Sequence, residues 1–211
     1  MSPSIKLYMF PMSCSIASHA LLKDSGLKFE AIKANVLDPA YRAEYLKNVN
    51  PKGQVPTLVI DNEIVTEAPA VLTAIAQLAP EKFYAGRPEN TVRFLEWMNF
   101  LSGTLHTKNF TGLFRPAALT TDSAGEEGIR AKSKENVLAN FELIEQKLKG
   151  VHALEDHLTG VDTYLVYFVL AAKKFGIWDE QRFPKYQKLF ENIMQIPSFK
   201  ATFKEHSKPV A

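Results

Sequence analysis

The sequence predicts an α/β sheet unit followed by an all-helical one. Three observations carry that expectation. Strand-like and helix-like runs alternate as βαβ(α)ββα over the first eighty or so residues. A stretch rich in turn residues, Pro80 to Pro88, then breaks the pattern. Beyond it every apolar repeat has helical spacing. The expected organisation is a sheet domain over 1–80, a linker over 81–88 and a helical domain over 89–211.

Lys6 to Phe10 reads as the first strand, stopped by Pro11. From Ser13 the pattern turns helical, with Ile16, Ala17, Ala20 and Leu21 on one face and Gly26 at the C-terminal stop. Phe29 to Ala34 alternates as a second strand, Pro39 to Lys47 can form a short helix, and Asn50-Pro51-Lys52-Gly53 is a loop. Val55 to Ile60 and Glu63 to Thr66 flank an Asp61-Asn62 link, which predicts a hairpin. A helix begins at Glu67-Ala68-Pro69 and ends before Pro80, with Pro69 suited to the first turn.

In the second half, Asn90 to about Arg115 reads as one long helix closed by Pro116. Thr120 to Gly125 is a polar loop before a helix over Glu126–Lys149. Thr159 and Asp162 have the spacing of a capping box ahead of an apolar helix, Tyr164–Ala172. Shorter helices are expected over Tyr186–Gln195 and Phe199–Glu205.

The 211 residues are 46% apolar and 23% charged, enough to fill a core and too apolar for disorder. Twenty-five Lys and Arg balance 23 Asp and Glu, and no basic run stands out, so a nucleic-acid partner is not expected. No apolar run is long enough for a membrane span, and no charged-then-apolar leader follows Met1. A single cysteine fits a reducing compartment, so the cytoplasm is the expected location. Without a leader, the Asn109-Phe110-Thr111 sequon reads as chance.

Three features carry chemistry. Cys14 lies between the first strand and the first helix, where orphan N–H groups and the helix dipole favour a thiolate and should depress its pKa. On position alone it is equally a small buried core residue. Pro56 opens a strand; if its peptide bond is cis, the N–H and C=O of Val55 stay available to an extended peptide ligand. Glu67 and Ala68 start a helix, where free N–H groups hold a carboxylate and the Glu67 side chain pairs with an ammonium. Alone, each also has an ordinary structural role.

Together, KLYxxPxxCS, NPKGQVPxL and TExPA resemble the N-terminal domain of glutathione transferases. A cysteine at position 14 in place of tyrosine or serine resembles the bacterial beta class. Glu96-Trp97-Met98-Asn99-Phe100, Leu105-His106, Leu113-Phe114-Arg115-Pro116 and Thr159-Gly160-Val161-Asp162-Thr163-Tyr164-Leu165 are similar to the helical half of that class. The resemblance implies a thioredoxin-like domain, glutathione as cosubstrate, no metal, a small hydrophobic electrophile against the Phe100–Phe114 region, and a homodimer. It places Cys14 at the glutathione sulfur with His106 nearby, Val55 and Pro56 at the cysteinyl backbone, and Glu67 with Ala68 at the γ-glutamyl end. Asn99, Gly103, Thr104 and His106 would close the site. The implied reaction is conjugation, thiol-disulfide exchange through Cys14, or both. The alternative is a non-catalytic protein of this fold that binds ligands or partners.

Two departures stand out. Ala68 replaces the family's Ser or Gly, and the basic residue after the second strand has no clear counterpart in Asn35–Pro39, leaving Lys33 and Lys52 as candidates. His19, His152, His157 and His206 show no metal-ligand spacing and are assigned to structure or surface.

Overall fold

The computed structural model describes residues 3–83, 88–154 and 157–208. Four strands form one sheet in the order β2-β1-β3-β4: β1 is Ile5–Met9, β2 Glu30–Lys33, β3 Thr57–Ile60 and β4 Glu63–Thr66. β1 and β2 are parallel, with Leu7 opposite Ala31, and the helix α1 (Ser15–Ser25) makes the crossover. β1–β3 and β3–β4 are antiparallel, with Leu7 opposite Leu58 and Leu58 opposite Val65. The expected hairpin forms: Asp61 takes φ 54, and its carboxylate accepts the Ser4 N–H at 2.9 Å.

Alternation decides which face is buried. Ile5, Leu7 and Met9 of β1 and Leu58 of β3 point inward against α1 and α3 (Ala68–Leu78). Gly26 ends α1 in the left-handed conformation, φ 75, as a glycine at a helix C-terminus does. The remaining helix of this half, α2 (Pro39–Asn48), buries only Tyr45.

The second half is helical: α4 (Pro88–Asn99), a π-helical segment Phe100–Phe110, α5 (Thr111–Phe114), α6 (Glu126–Lys147), α7 (Gly160–Lys174), α8 (Pro184–Gln195) and α9 (Pro197–His206). The α/β-plus-all-α expectation therefore holds. Residues 84–87 of the expected linker lie outside the described residues.

The long helix expected over 90–115 runs unbroken from Pro88 to Phe114, with one difference in its middle. Residues Phe100–Phe110 are widened to i→i+5 backbone bonding, as where the Thr111 N–H reaches the His106 carbonyl. A π-helical segment is rare and has no residue signature of its own, so the sequence reading expected α-helix throughout. The apolar helix starts at Gly160 rather than Tyr164, because Thr159 and Asp162 form the expected capping box one turn earlier. Asp162 is fully buried and accepts from the Thr159 N–H and the Ala153 N–H, both at 2.7 Å.

α7 is the axis of the molecule. Twelve of its residues are buried, and it packs on α1, α3, α4 and α8. Gly160 permits the closest approach: a Cβ there would stand 3.0 Å from the Leu72 side chain on α3. α9 returns to lie along α1.

Candidate active site

Cys14 sits where β1 hands over to α1. Ser13 and Ser15 set the turn: both hydroxyls donate to the Phe10 carbonyl, at 2.8 and 3.1 Å, and Ser15 Oγ also accepts the Phe10 N–H. Met12 takes the left-handed conformation, φ 55, and swings the chain round. Cys14 becomes the N-terminal cap of α1, 8% exposed, and its Sγ donates to the Val55 carbonyl at 3.4 Å.

The expected depression of the Cys14 pKa is overturned in the free chain, where the thiol is pushed up to about 12. Burial is the largest cause, because a thiolate there loses its water. The backbone N–H groups of Cys14 and Ser15 do pull it down, as a helix N-terminus should, and the Glu67 carboxylate pushes it further up. Desolvation outweighs the two amides.

Val55–Pro56 is cis. The turn before it is held from α2 and the following loop. Tyr45 Oη donates to the Gln54 carbonyl at 2.9 Å and bonds Thr57 Oγ1 at 2.8 Å, and Asn50 Nδ2 donates to the same two atoms. Only half of Val55's pairing capacity is open: the carbonyl is taken by Cys14, while no partner for its N–H is found among the described residues.

Glu67 caps α3 from φ 71 and makes no side-chain capping bond, so the N–H groups of the first turn have no side-chain cap. Its exposed carboxylate instead pairs with Lys52 Nζ, which also donates to Thr66 Oγ1 at 2.8 Å. Ala68, in the first turn, is 8% exposed. Of the two candidate cations, Lys52 thus stands beside Glu67, and Lys33 lies at the end of β2, within electrostatic reach of His206.

His106 projects from the π-helical segment. The widened turn delivers it between two tyrosines of α7: Nδ1 meets Tyr164 Oη at 3.0 Å and Nε2 meets Tyr167 Oη at 3.3 Å. Both ring nitrogens are therefore engaged by tyrosines, not by Cys14. Burial, with the Arg115 cation second, lowers its pKa to about 4, so the ring is neutral at pH 7. A neutral imidazole donates to one hydroxyl and accepts from the other. The tyrosine that accepts keeps its own proton for a further acceptor. Burial raises both tyrosines well above their usual range, and the nearness of Cys14 is the second cause for each.

The structure brings Cys14, Val55, Pro56, Glu67 and Ala68 to one end of the sheet, with His106 reaching the site through the tyrosines. Asn99, Gly103 and Thr104 are not joined to these groups. Asn99 Nδ2 donates back to the Leu95 carbonyl at 2.8 Å, the Gly103 Cβ position meets open space, and Thr104 is exposed. Tyr164 and Tyr167 were missed by the sequence reading. Their signal was a pair of hydroxyls three residues apart on an otherwise apolar helix.

Beside Tyr167 lies a small depression of about 10 Å³, no larger than a water molecule, lined by Met12, Ile16, Phe114, Leu170, Ala171 and Lys174 as well. Only Phe114 comes from the Phe100–Phe114 stretch where the electrophile was expected; α7 supplies most of the rest. Among the described residues no group of three or more His, Cys, Asp or Glu is placed to hold a metal. No described helix is long and apolar enough to cross a membrane.

Residues 3–77 match the family model "Glutathione S-transferase, N-terminal domain". Glutathione S-transferase GST-4.5 of Xanthomonas campestris is 31% identical over 82% of this chain and 85% of that protein. A sphingomonad glutathione S-transferase solved in complex with glutathione superposes with TM-score 0.81 at 29% identity, covering 97% of this chain and all of that one. A bacterial beta class enzyme from Sphingomonas chungbukensis superposes with TM-score 0.80 at 27% identity, covering 96% and 98%. The sheet half is thioredoxin-like, as the sequence predicted.

Proposed function

Since this chain belongs to the glutathione S-transferase family, we propose that it binds glutathione at the Val55–Glu67 end of its sheet and transfers it to a small apolar electrophile, with Cys14 acting as a neutral S–H donor to the glutathione sulfur. The observation that carries the role of Cys14 is its state in the free chain: a buried thiol, protonated at neutral pH and already donating a hydrogen bond. A group held in that state offers a proton to a neighbouring thiolate and is not itself the better nucleophile. The cysteine-type beta class assignment is part of this reading, supported by the sequence pattern and the Sphingomonas chungbukensis likeness.

Glutathione would lie extended along the sheet end, its cysteinyl amide competing for the Val55 carbonyl and its own carbonyl taking the Val55 N–H. Its γ-glutamyl carboxylate would meet the uncapped first turn of α3 at Ala68, and its ammonium the Glu67 carboxylate. Lys52 then either yields Glu67 to the ammonium or shares it, and supplies a cation for the glycyl carboxylate. The conjugation step forms one carbon–sulfur bond; the leaving group departs with its electron pair and the thiol proton goes to solvent. The electrophile would sit beside Tyr167, near Met12 and Phe114. Residues 1–80 form the glutathione-binding half, and 89–211 carry His106 and most of the residues around that depression. A homodimer is favoured by Val92 and Leu95, 68% and 50% exposed on α4, and a cytoplasmic setting by the free thiol.

A second reading has its own support. The two backbone amides at Cys14 would stabilise a thiolate once ligand binding frees the sulfur from Val55, which suits attack on a glutathione disulfide with release of one glutathione thiolate. Incubation with oxidised glutathione followed by intact-mass measurement separates the two. The donor reading expects turnover of a chromogenic aryl halide with Cys14 unmodified, whereas a stoichiometric glutathione adduct favours exchange. Failure to be retained on immobilised glutathione, with neither activity, would leave a non-catalytic member of the family.

A further inference from the structure

His19 and His206, assigned by the sequence to structure or surface, form a buried chain of contacts that ends on the loop carrying Cys14. His206, the last residue of α9, places Nδ1 3.3 Å from the Met12 N–H, across 194 residues of sequence. Its Nε2 lies 3.0 Å from His19 Nδ1 on α1. His19 Nε2 lies 3.7 Å from Glu205 Oε2, too far for a hydrogen bond, and has no hydrogen-bond partner among the described residues. Both imidazoles are 1% exposed.

These contacts allow one arrangement of protons. The Met12 amide can only donate, so His206 Nδ1 must be bare. A neutral His206 then carries its proton on Nε2 and donates it to His19 Nδ1. His19 must carry its own proton on Nε2. Both hydrogen bonds run the same way, from the Met12 amide through His206 to His19. The other facing groups agree. Burial, His19 and the cations Lys23 and Lys33, in that order, disfavour a charge on His206; Phe29 packs edge-on against His19, and Lys23 engages Glu205.

Met12 is a left-handed, non-glycine residue two positions before Cys14, a conformation that persists only where its surroundings hold it. We propose that His206 is a positioning residue that latches the Met12 turn, with His19 accepting its Nε2 proton, so that the C-terminal helix keeps the Cys14 thiol seated against Val55. What the latch serves rests on the donor role proposed for Cys14; its existence does not.

Two variants of similar size separate the links. His206→Asn puts an amide oxygen where Nδ1 stood and keeps an acceptor for Met12 while losing His19. His206→Gln places its amide near Nε2, keeping the His19 contact and losing Met12. Alkylation of Cys14 by iodoacetamide, in protein without glutathione, reads how often the seat opens. The Gln variant should react roughly two- to tenfold faster than the unmutated protein, the weight of one hydrogen bond, with the Asn variant close to the unmutated rate. Equal rates in the two variants, or a faster Asn variant, overturn the proposal. A second measurement needs no variant: ring ¹⁵N shifts of the unmutated protein at neutral pH should show both histidines neutral and protonated at Nε2. A charged ring, or a proton on His206 Nδ1, overturns it equally. Neither readout involves glutathione, so a failure of the proposed transferase reading leaves both intact.

Discussion

The Cys14 thiol and the Val55 carbonyl occupy one another across 3.4 Å. In the free chain this single bond engages both the sulfur and the backbone acceptor that an extended peptide needs. Under the proposed reading, a ligand that pairs with the Val55 carbonyl would release the thiol. Without ligand, the alkylation rate of Cys14 should keep rising through and beyond pH 9.0, the ordinary thiol value, because its own pKa lies near 12. A plateau at neutral pH would show a thiolate already formed and contradict the desolvated seat.

Replacing Cys14 tests which proton matters. Cys14→Ser keeps an O–H donor and should retain aryl-halide conjugation to within a few-fold, whereas Cys14→Ala should lose roughly ten- to a hundredfold, the worth of one hydrogen bond to a charged group. Equal, near-complete loss in both would instead mark sulfur as the nucleophile. Steady-state kinetics at saturating glutathione reads the difference.

Tyr164→Phe or Tyr167→Phe strips one partner from a buried imidazole nitrogen of His106. Each should cost about 1–3 kcal/mol of stability in denaturant titration, because the stranded nitrogen stays buried. If neither variant loses stability, the ring is not held by the pair.

Acid should weaken the fold through its neutral histidines. His106 and His19 have folded pKa values of about 4 and His206 about 3, against 6.5 for an ordinary histidine. Below 6.5 the unfolded chain takes up protons that the folded one refuses. Stability is therefore fully present above that pH and is lost as pH falls towards 4. His106 alone accounts for about 3 kcal/mol of that loss. In thermal melts, His106→Phe should flatten the fall between pH 6.5 and 4; an unchanged slope would remove His106 from the account.

Asp162 satisfies two backbone donors and the Thr159 hydroxyl at the start of α7, the most buried helix. Asp162→Ala should destabilise by roughly 2–4 kcal/mol, combining a lost cap with amides left unpaired. A variant melting within a degree or two of the unmutated protein would show that water replaces the carboxylate.

Local signals made much of the fold legible. Alternation in Ile5–Met9, the Asp61-Asn62 link, Gly26 and the Thr159–Asp162 spacing each encode a preference within a few residues, and the structure follows them. The cis bond at Pro56 was only one option for a strand-opening proline. The grouping of Cys14 with Val55, Glu67 and Ala68 followed from the family resemblance, because contacts across forty or more residues leave no local signal. The widened segment under His106 was not legible, because i→i+5 bonding is a rare choice that no residue type in the segment signals.

By itself, then, the sequence determined the order of strands and helices, the turns that end them and the residues that crowd one end of the sheet. Only the tertiary structure decided the state of those residues. Desolvation turned an expected thiolate at Cys14 into a thiol, α7 supplied the tyrosines that claim His106, and α9 brought His206 back to Met12. Burial and contacts across nearly two hundred residues set protonation, and no local pattern of side chains encodes either.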